Sequence, residues 1–439
     1  MKKVEIIGAG LSGVEAAYQA SKFGCDVVLY EMRPSKMTPA HKTAEFAELV
    51  CSNSLRSSNL QNAVGILKEE MRLLDSIIIS TADQTRVPAG DALAVDREKF
   101  SKLLTEKIRS IKNITVVETE IKKIPRDSES VLIIATGPLT SGELAEDIRK
   151  FTGEEYFYFY DAAAPIVTRE SIQPAIDSGK IFLASRYDKG EPAYFNCPMN
   201  EEEYKHFYSE LMSGEKIEVH EFDQEKFFDG CLPIEEMARR GEDVLRFGPM
   251  KPVGLRDSND SMPHAVVQLR RENADATLFN LVGFQTRLKW NEQRRIFRLI
   301  PGLENAEFAR LGVMHRNTFL NAPRILKSTY QTRIDDKIFF AGQITGVEGY
   351  VESSASGLIA GINAARVAQD LDALKFPAET CIGALGNYLE TAESKNFQPM
   401  NVNFGLLSPL TERVRKSDKK KILSERALNS LQNFLRENF

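Results

Sequence analysis

Hydrophobic and polar positions along the opening of the chain predict a strand, a helix and a second strand. Val4-Glu5-Ile6-Ile7 is a short apolar run, residues 14–22 carry small and apolar side chains at helical spacing, and Asp26-Val27-Val28-Leu29-Tyr30 is apolar again, closing on Glu31. Helical patterns over residues 65–74 and 97–111 follow, with strand patterns at 116–118 and 131–136. Residues 51–59 are small, polar and turn-prone, which predicts a loop. From about Tyr156 the chain changes to aromatic strand material and then to mixed segments with more proline and surface charge, up to about Tyr330. At Ile338-Phe339-Phe340-Ala341 the first pattern returns, followed by a glycine-rich loop (342–349), a small-residue helix (353–367) and, from Thr411 onward, a basic helix with spaced leucines. The expected fold class is α/β: a Rossmann-like domain in two segments, residues 1–155 and 331–439, with a mixed α/β insertion domain, residues 156–330.

Composition narrows the functional classes. The 439 residues are 42% hydrophobic and 27% charged, an ordinary globular balance. With 57 basic and 62 acidic residues the net charge is −5, so nucleic acid would have to be met by a local patch rather than by bulk charge. No apolar run approaches the ~18 residues that span a bilayer, and Lys2-Lys3 precedes only a short apolar stretch before Gly8, so neither a membrane partner nor a signal peptide is expected and a cytoplasmic location is. The five cysteines (25, 51, 197, 231, 381) form no CxxC pair, and the five histidines show no ligand spacing, so neither a disulfide framework nor a metal site is expected.

The turn Gly8-Ala9-Gly10-Leu11-Ser12-Gly13 has the GxGxxG spacing, set between a strand and a helix. Gly8 permits the tight turn, Gly10 lets backbone approach a pyrophosphate, and Gly13 lets helix pack on strand. Glu31 is placed to accept a ribose hydroxyl, with Arg33 beside it. FAD and NAD share this fingerprint. The later segment around Gly342, Gln343 and Gly349 looks like the second FAD-binding motif of two-segment flavoproteins, although an aspartate commonly stands where Gln343 is. Val117 falls where such proteins hold adenine by strand backbone, and a plain core valine reads equally well. A second GxGxxG for a nicotinamide is absent from the sequence, so a single FAD is expected, with NAD(P)H visiting.

Cys231 precedes Pro233 and a short helical pattern, and a thiol before a helix N-terminus tends toward thiolate, an effect that Glu235 and Glu236 oppose. Cys51 opens the small polar loop; a structural thiol is the alternative for both. Residues 287–333 hold ten basic and three acidic side chains, Arg287, Lys289, Arg294 and Arg295 among the basic ones, interleaved with Trp290, His315 and Asn317. That mixture suits looped RNA, or simply a solvated basic face.

Taken together, these residues closely resemble the folate- and FAD-dependent tRNA (uracil-5-)-methyltransferase family, TrmFO. The likeness rests on Cys51-Ser52-Asn53-Ser54-Leu55-Arg56, the block from Cys231 to Met237, Phe247 to Leu255, Leu281 to Thr286, and Gly342 to Tyr350, where Gln343 matches the family. The chain is also similar to the glucose-inhibited-division flavoproteins, which carry a longer C-terminal helical domain. The resemblance implies methylation of a T-loop uridine of tRNA at C5, with 5,10-methylenetetrahydrofolate as carbon donor, the methylene carried via reduced FAD, and electrons from NAD(P)H. It implies Cys231 as the nucleophile and Cys51 as its partner, roles that are exchangeable, with Arg287, Lys289 and the nearby arginines on phosphates and Tyr350 beside the flavin. Ribosomal RNA as substrate, a small-molecule flavin oxidoreductase and a non-catalytic RNA-binding flavoprotein are the competing expectations.

Overall fold

The computed structural model describes residues 2–126, 129–162, 164–188, 191–217, 232–257, 261–312, 314–410, 414–415 and 417–439. Cys231 lies outside the described residues.

The first stretch runs β1 (Lys3–Ile7), α1 (Leu11–Lys22), β2 (Asp26–Glu31), β3 (Ser54–Ser57), α2 (Ala63–Leu73), α3 (Ile77–Gln84), β4 (Arg86–Val87), β5 (Ala92–Val95), α4 (Arg97–Ser110), β6 (Ile114–Glu118), β7 (Val131–Ile134) and α5 (Gly142–Thr152). The insertion follows with β8 (Phe157–Ala162), β9 (Ile166–Thr168), α6 (Arg169–Asp177), β10 (Phe182–Ala184), β11 (Tyr194–Met199), α7 (Glu201–Ser213), α8 (Ile234–Arg239), α9 (Val244–Phe247), β12 (Ala265–Arg271), β13 (Leu278–Leu281), α10 (Trp290–Phe297), β14 (Phe308–Arg310) and β15 (Met314–Phe319). The chain returns through α11 (Ala322–Ile325), β16 (Ile338–Phe340), α12 (Tyr350–Ala368), α13 (Cys381–Thr391) and α14 (Lys419–Asn438).

Five strands form a parallel sheet in the order β16-β7-β1-β2-β6, so the late strand β16 completes the sheet begun at the N-terminus. Val4, Ile6, Ile133 and Phe339 are fully buried within it. On this sheet α12 crosses α1 at close range because both helices present small residues: a Cβ on Gly361 would stand 2.6 Å from the Ala16 carbonyl oxygen, and one on Gly357 would overlap the Ser12 backbone. The two sequence segments thus make one body.

The insertion is built on a six-stranded antiparallel sheet, β10-β11-β12-β13-β9-β14. Side chains alternate across a strand. Phe195, Cys197 and Met199 of β11, Val267 and Leu269 of β12, and Phe279 and Leu281 of β13 form one face, packed under Ile172, Phe207, Leu211, Ile296 and Phe297. Asn196, Gln268, Arg270 and Asn280 take the opposite face, in cross-strand register.

Two expectations change. Residues 54–57, read as loop, are β3, paired with β5. The run Ile77-Ile78-Ile79 opens α3, where Ser76 caps the helix by accepting the Ile79 N–H and the buried Glu15 accepts from the Ile78 N–H. The second core ends earlier than Tyr330: Phe319, Leu320, Ile325 and Tyr330 pack into the first.

Glu70 of α2, fully buried, accepts the backbone N–H groups of Cys381 and Ile382 at 2.8 Å each and so holds the start of α13. Burial outweighs those bonds and pushes its carboxyl up to about 8, from 4.5. The folded protein therefore binds this proton more tightly than the unfolded chain, and the resulting stabilisation, complete below the unfolded pKa, is lost as pH rises toward 8. The melting temperature of wild type is expected to fall more steeply between about pH 5 and 7 than that of Glu70→Gln, which mimics the protonated acid. Equal slopes in calorimetry would contradict this.

Candidate functional site

The C-terminal ends of β1, β2 and β7 open into one cavity of about 670 Å³, which extends from Gly8, Gly10 and Glu31 to Cys51, Tyr350 and the polar face of the insertion sheet. Gly8 has φ +102°, and a Cβ there would press on the Ala135 carbonyl oxygen. One on Gly13 would overlap the Gly8 carbonyl, so helix and turn meet backbone to backbone. Gly10, the residue before α1, has open space where its Cβ would stand and makes no side-chain cap, which leaves the helix N-terminus to a phosphate. Ala9 donates its N–H to Glu31 Oε2 at 2.8 Å. Arg33 donates its Nε and backbone N–H to Glu31 Oε1 at 2.9 and 3.0 Å. Burial pushes the Glu31 carboxyl up, but the bonds and charge of Arg33 prevail and hold it below the usual carboxylate range. At the far end Gly342 and Gly349 both have φ in the left-handed region, and Gln343 donates to Glu348 Oε2 at 2.6 Å. Val117 sits opposite Tyr30 in β6, and the cavity wall on that side begins two residues later, at Thr119. This cradle, with its glycine approaches, fits FAD.

The Cys51 loop is tied from both bodies. The Tyr350 hydroxyl accepts the N–H of Cys51 at 2.7 Å and of Ser52 at 3.1 Å. Arg97 donates to the Leu49 carbonyl at 2.7 Å, and Arg310 donates to that of Val50. Arg270 donates to Ser52 Oγ at 2.7 Å and to Asn53 Oδ1 at 3.1 Å. Asn53 in turn donates to the carbonyls of Val95 and Arg271 at 2.9 Å each. Burial opposes the charged form of all three guanidiniums; the Glu272 carboxylate is the largest counterweight at Arg97 and Arg270, and a negative charge at Cys51 adds to it in each case. Burial, then the same charge, pushes the Tyr350 phenol well above its usual range, so it stays neutral. Arg97 and Arg270 did not stand out in the sequence, and Arg310 entered only as one of the ten basic residues of 287–333. The one available signal was Arg270, a charge set within the apolar strand Ala-Val-Val-Gln-Leu-Arg-Arg.

Leu232 and Pro233, the first residues described after Cys231, lead into α8, which is docked against the cavity wall: Ile234 donates its N–H to the carbonyl of Gln285, a wall residue, at 2.7 Å. Glu235 accepts from Thr286 Oγ1 at 2.9 Å and from the Arg287 N–H at 2.7 Å, and Glu236 accepts from Arg287 Nη2 at 2.5 Å. Both acids are thus taken up by the 286–287 turn. The Phe247–Leu255 block meets the same wall, since a Cβ on Gly283 would stand 2.5 Å from Pro249 Cβ.

The basic stretch needs correction. Arg287 is 4% exposed and paired with Glu236, so it is no surface contact for phosphate. Lys289 pairs with Glu215, and Arg295 with Glu210 and Glu292, all near the surface. Arg294 is exposed, beside the 57%-exposed Trp290. Most of the linear excess of charge is met in space by acids from elsewhere in the chain. Among the described residues no group of three or more His, Cys, Asp or Glu is placed to hold a metal ion, and no helix is long and apolar enough to cross a membrane.

Residues 3–372 match the family described as glucose inhibited division protein A. A relative from Enterococcus faecalis described as methylenetetrahydrofolate–tRNA-(uracil-5-)-methyltransferase TrmFO is 59% identical over 430 residues, 98% of this chain and 97% of its own. One from Exiguobacterium sibiricum with the same description is 58% identical over 438 residues, 99% of each. Among solved structures, GidA from Aquifex aeolicus has a TM-score of 0.70 at 17% identity, covering 99% of this chain and 73% of that one, a likeness of fold.

Proposed function

Because this chain belongs to the glucose inhibited division protein A family and, by its full-length relatives, to the TrmFO branch of it, we propose that it methylates C5 of a T-loop uridine in tRNA with methylenetetrahydrofolate. The observation that carries the reading is a single cavity with a dinucleotide cradle at one end and a tightly held cysteine at the other.

Uracil C5 is a weak nucleophile. A thiolate that bonds to C6 displaces the C5–C6 π pair onto C5 and O4, and C5 then attacks the one-carbon unit. Loss of the C5 proton to a base expels the nitrogen that carried the carbon and leaves an exocyclic methylene on C5; hydride addition to that methylene makes the methyl group, re-forms the C5–C6 double bond and expels the sulfur. Cys231 is assigned the attack on C6, and Cys51, as thiolate among Arg97, Arg270 and Arg310, the proton at C5. FAD, when bound and reduced, would supply that hydride, and NAD(P)H would restore it. Gly8, Ala9, Gly10, Gly13 and Glu31 would hold its pyrophosphate and ribose, and Gln343, Gly349 and Tyr350 would line its ring end. Arg294, with the exposed Trp290, offers a cationic and aromatic contact to RNA, while Lys289 and Arg295 would have to exchange their acidic partners for phosphates.

Incubation of the purified protein with carbon-labelled methylenetetrahydrofolate, NADPH and unmodified transcripts tests this directly. Label is expected in tRNA at the T-loop uridine. Label confined to ribosomal RNA, or oxidation of NADPH with no labelled RNA, would overturn the substrate assignment.

A further inference from the structure

On the polar face of the insertion sheet most groups find partners within the protein. Asn196 donates to the carbonyls of Phe182, Ala184 and Tyr194 and accepts from Gln268 Nε2 at 2.9 Å. Asn280 is the exception. It is 3% exposed, its Nδ2 makes no hydrogen bond, and it lines the cavity. A buried carboxamide left without a partner is destabilising, and such a group in a native cavity wall calls for a partner that the protein itself does not supply. Directly across the ladder from Asn280 is Arg270, 8% exposed and in the same cavity wall. Arg270 commits Nε and Nη2 to Asn53 and Ser52, while Nη1 makes no hydrogen bond among the described residues. Opposed cross-strand residues hold their Cβ atoms about 4.5–5.5 Å apart, a spacing at which an amide and a guanidinium address adjacent atoms of one heterocycle.

We infer that Asn280 and Arg270 read the edge of the target pyrimidine, the Asn280 carboxamide pairing with N3–H and its neighbouring carbonyl while Arg270 meets O4. This rests on the methyltransferase reading above and adds the source of base recognition. An amide matches the acceptor–donor edge of uracil, and extruded bases are recognised by hydrogen bonds to that edge. Negative charge reaches O4 when sulfur adds at C6, and a guanidinium fixed by the Cys51 loop is already in position to meet it.

The test uses T-loop RNA with uridine or 3-methyluridine at the target, the latter lacking the N3 proton, with wild type and Asn280→Ala. FAD content and melting temperature serve as folding controls. For uridine, kcat/KM of the variant is expected to fall about 10- to 100-fold, and the preference of wild type for uridine over 3-methyluridine to shrink toward one. Wild-type kcat/KM for uridine in the variant, or an undiminished preference, would overturn the inference alone. Failure of wild type to label uridine RNA would overturn the parent reading and this one with it.

Discussion

Replacement of Cys231 by alanine is expected to lower label transfer by a factor on the order of 10⁶, the scale on which enzymes lose activity with their nucleophile. Replacement of Cys51 is expected to cost about 10²–10⁴, the range for a positioned base. The ordering follows from the chemistry: without attack at C6 the ring does not react, whereas a C5 proton can leave slowly to water. RNA with 5-fluorouridine at the target separates the roles, because fluorine does not leave as a proton does and the sulfur–C6 bond persists. Mass measurement should find the protein–RNA adduct in wild type and Cys51→Ala and not in Cys231→Ala. The opposite pattern would exchange the two roles. Full activity of both variants would end the thiol mechanism.

The role assigned to Cys51 follows from what surrounds it, and little of that was legible in sequence. The glycine turn, β1, α1 and β2 were, because a local pattern and a local backbone requirement coincide there: Gly8 and Gly13 are needed by neighbours within a few residues or by one adjoining strand. The return of the chain at β16 was legible for the same reason, since a buried parallel strand reads as an apolar run. Arg97, Arg270 and Arg310 come from α4, β12 and β14, more than two hundred residues apart at the extremes, and converge only after the sheets have packed. The converse error occurred at Arg287. Linear counting of charge gave it to RNA, but two acids that precede it by about fifty positions, Glu235 and Glu236, draw it inside. Sequence proximity measures charge density along the chain, and it measures surface potential only where the partners are also local.

Two glycines of the same turn should fail in different ways, and the difference tests whether the cradle holds a dinucleotide. A methyl group on Gly13 has nowhere to go, because it meets the Gly8 backbone carbonyl and not a flexible side chain. Gly13→Ala should therefore cost about 1–3 kcal/mol of overpacking, lower the melting temperature and weaken FAD binding together. Gly10 differs: its φ is −74° and nothing lies within 4 Å of a Cβ built there. Gly10→Ala should leave the melting temperature of FAD-free protein unchanged, while FAD binding weakens by about tenfold or more as the methyl group takes the approach that backbone needs to a pyrophosphate. Flavin absorbance after gel filtration, with calorimetry of the stripped protein, reads both quantities. Undiminished FAD binding in Gly10→Ala would mean that the turn is shaped by packing alone.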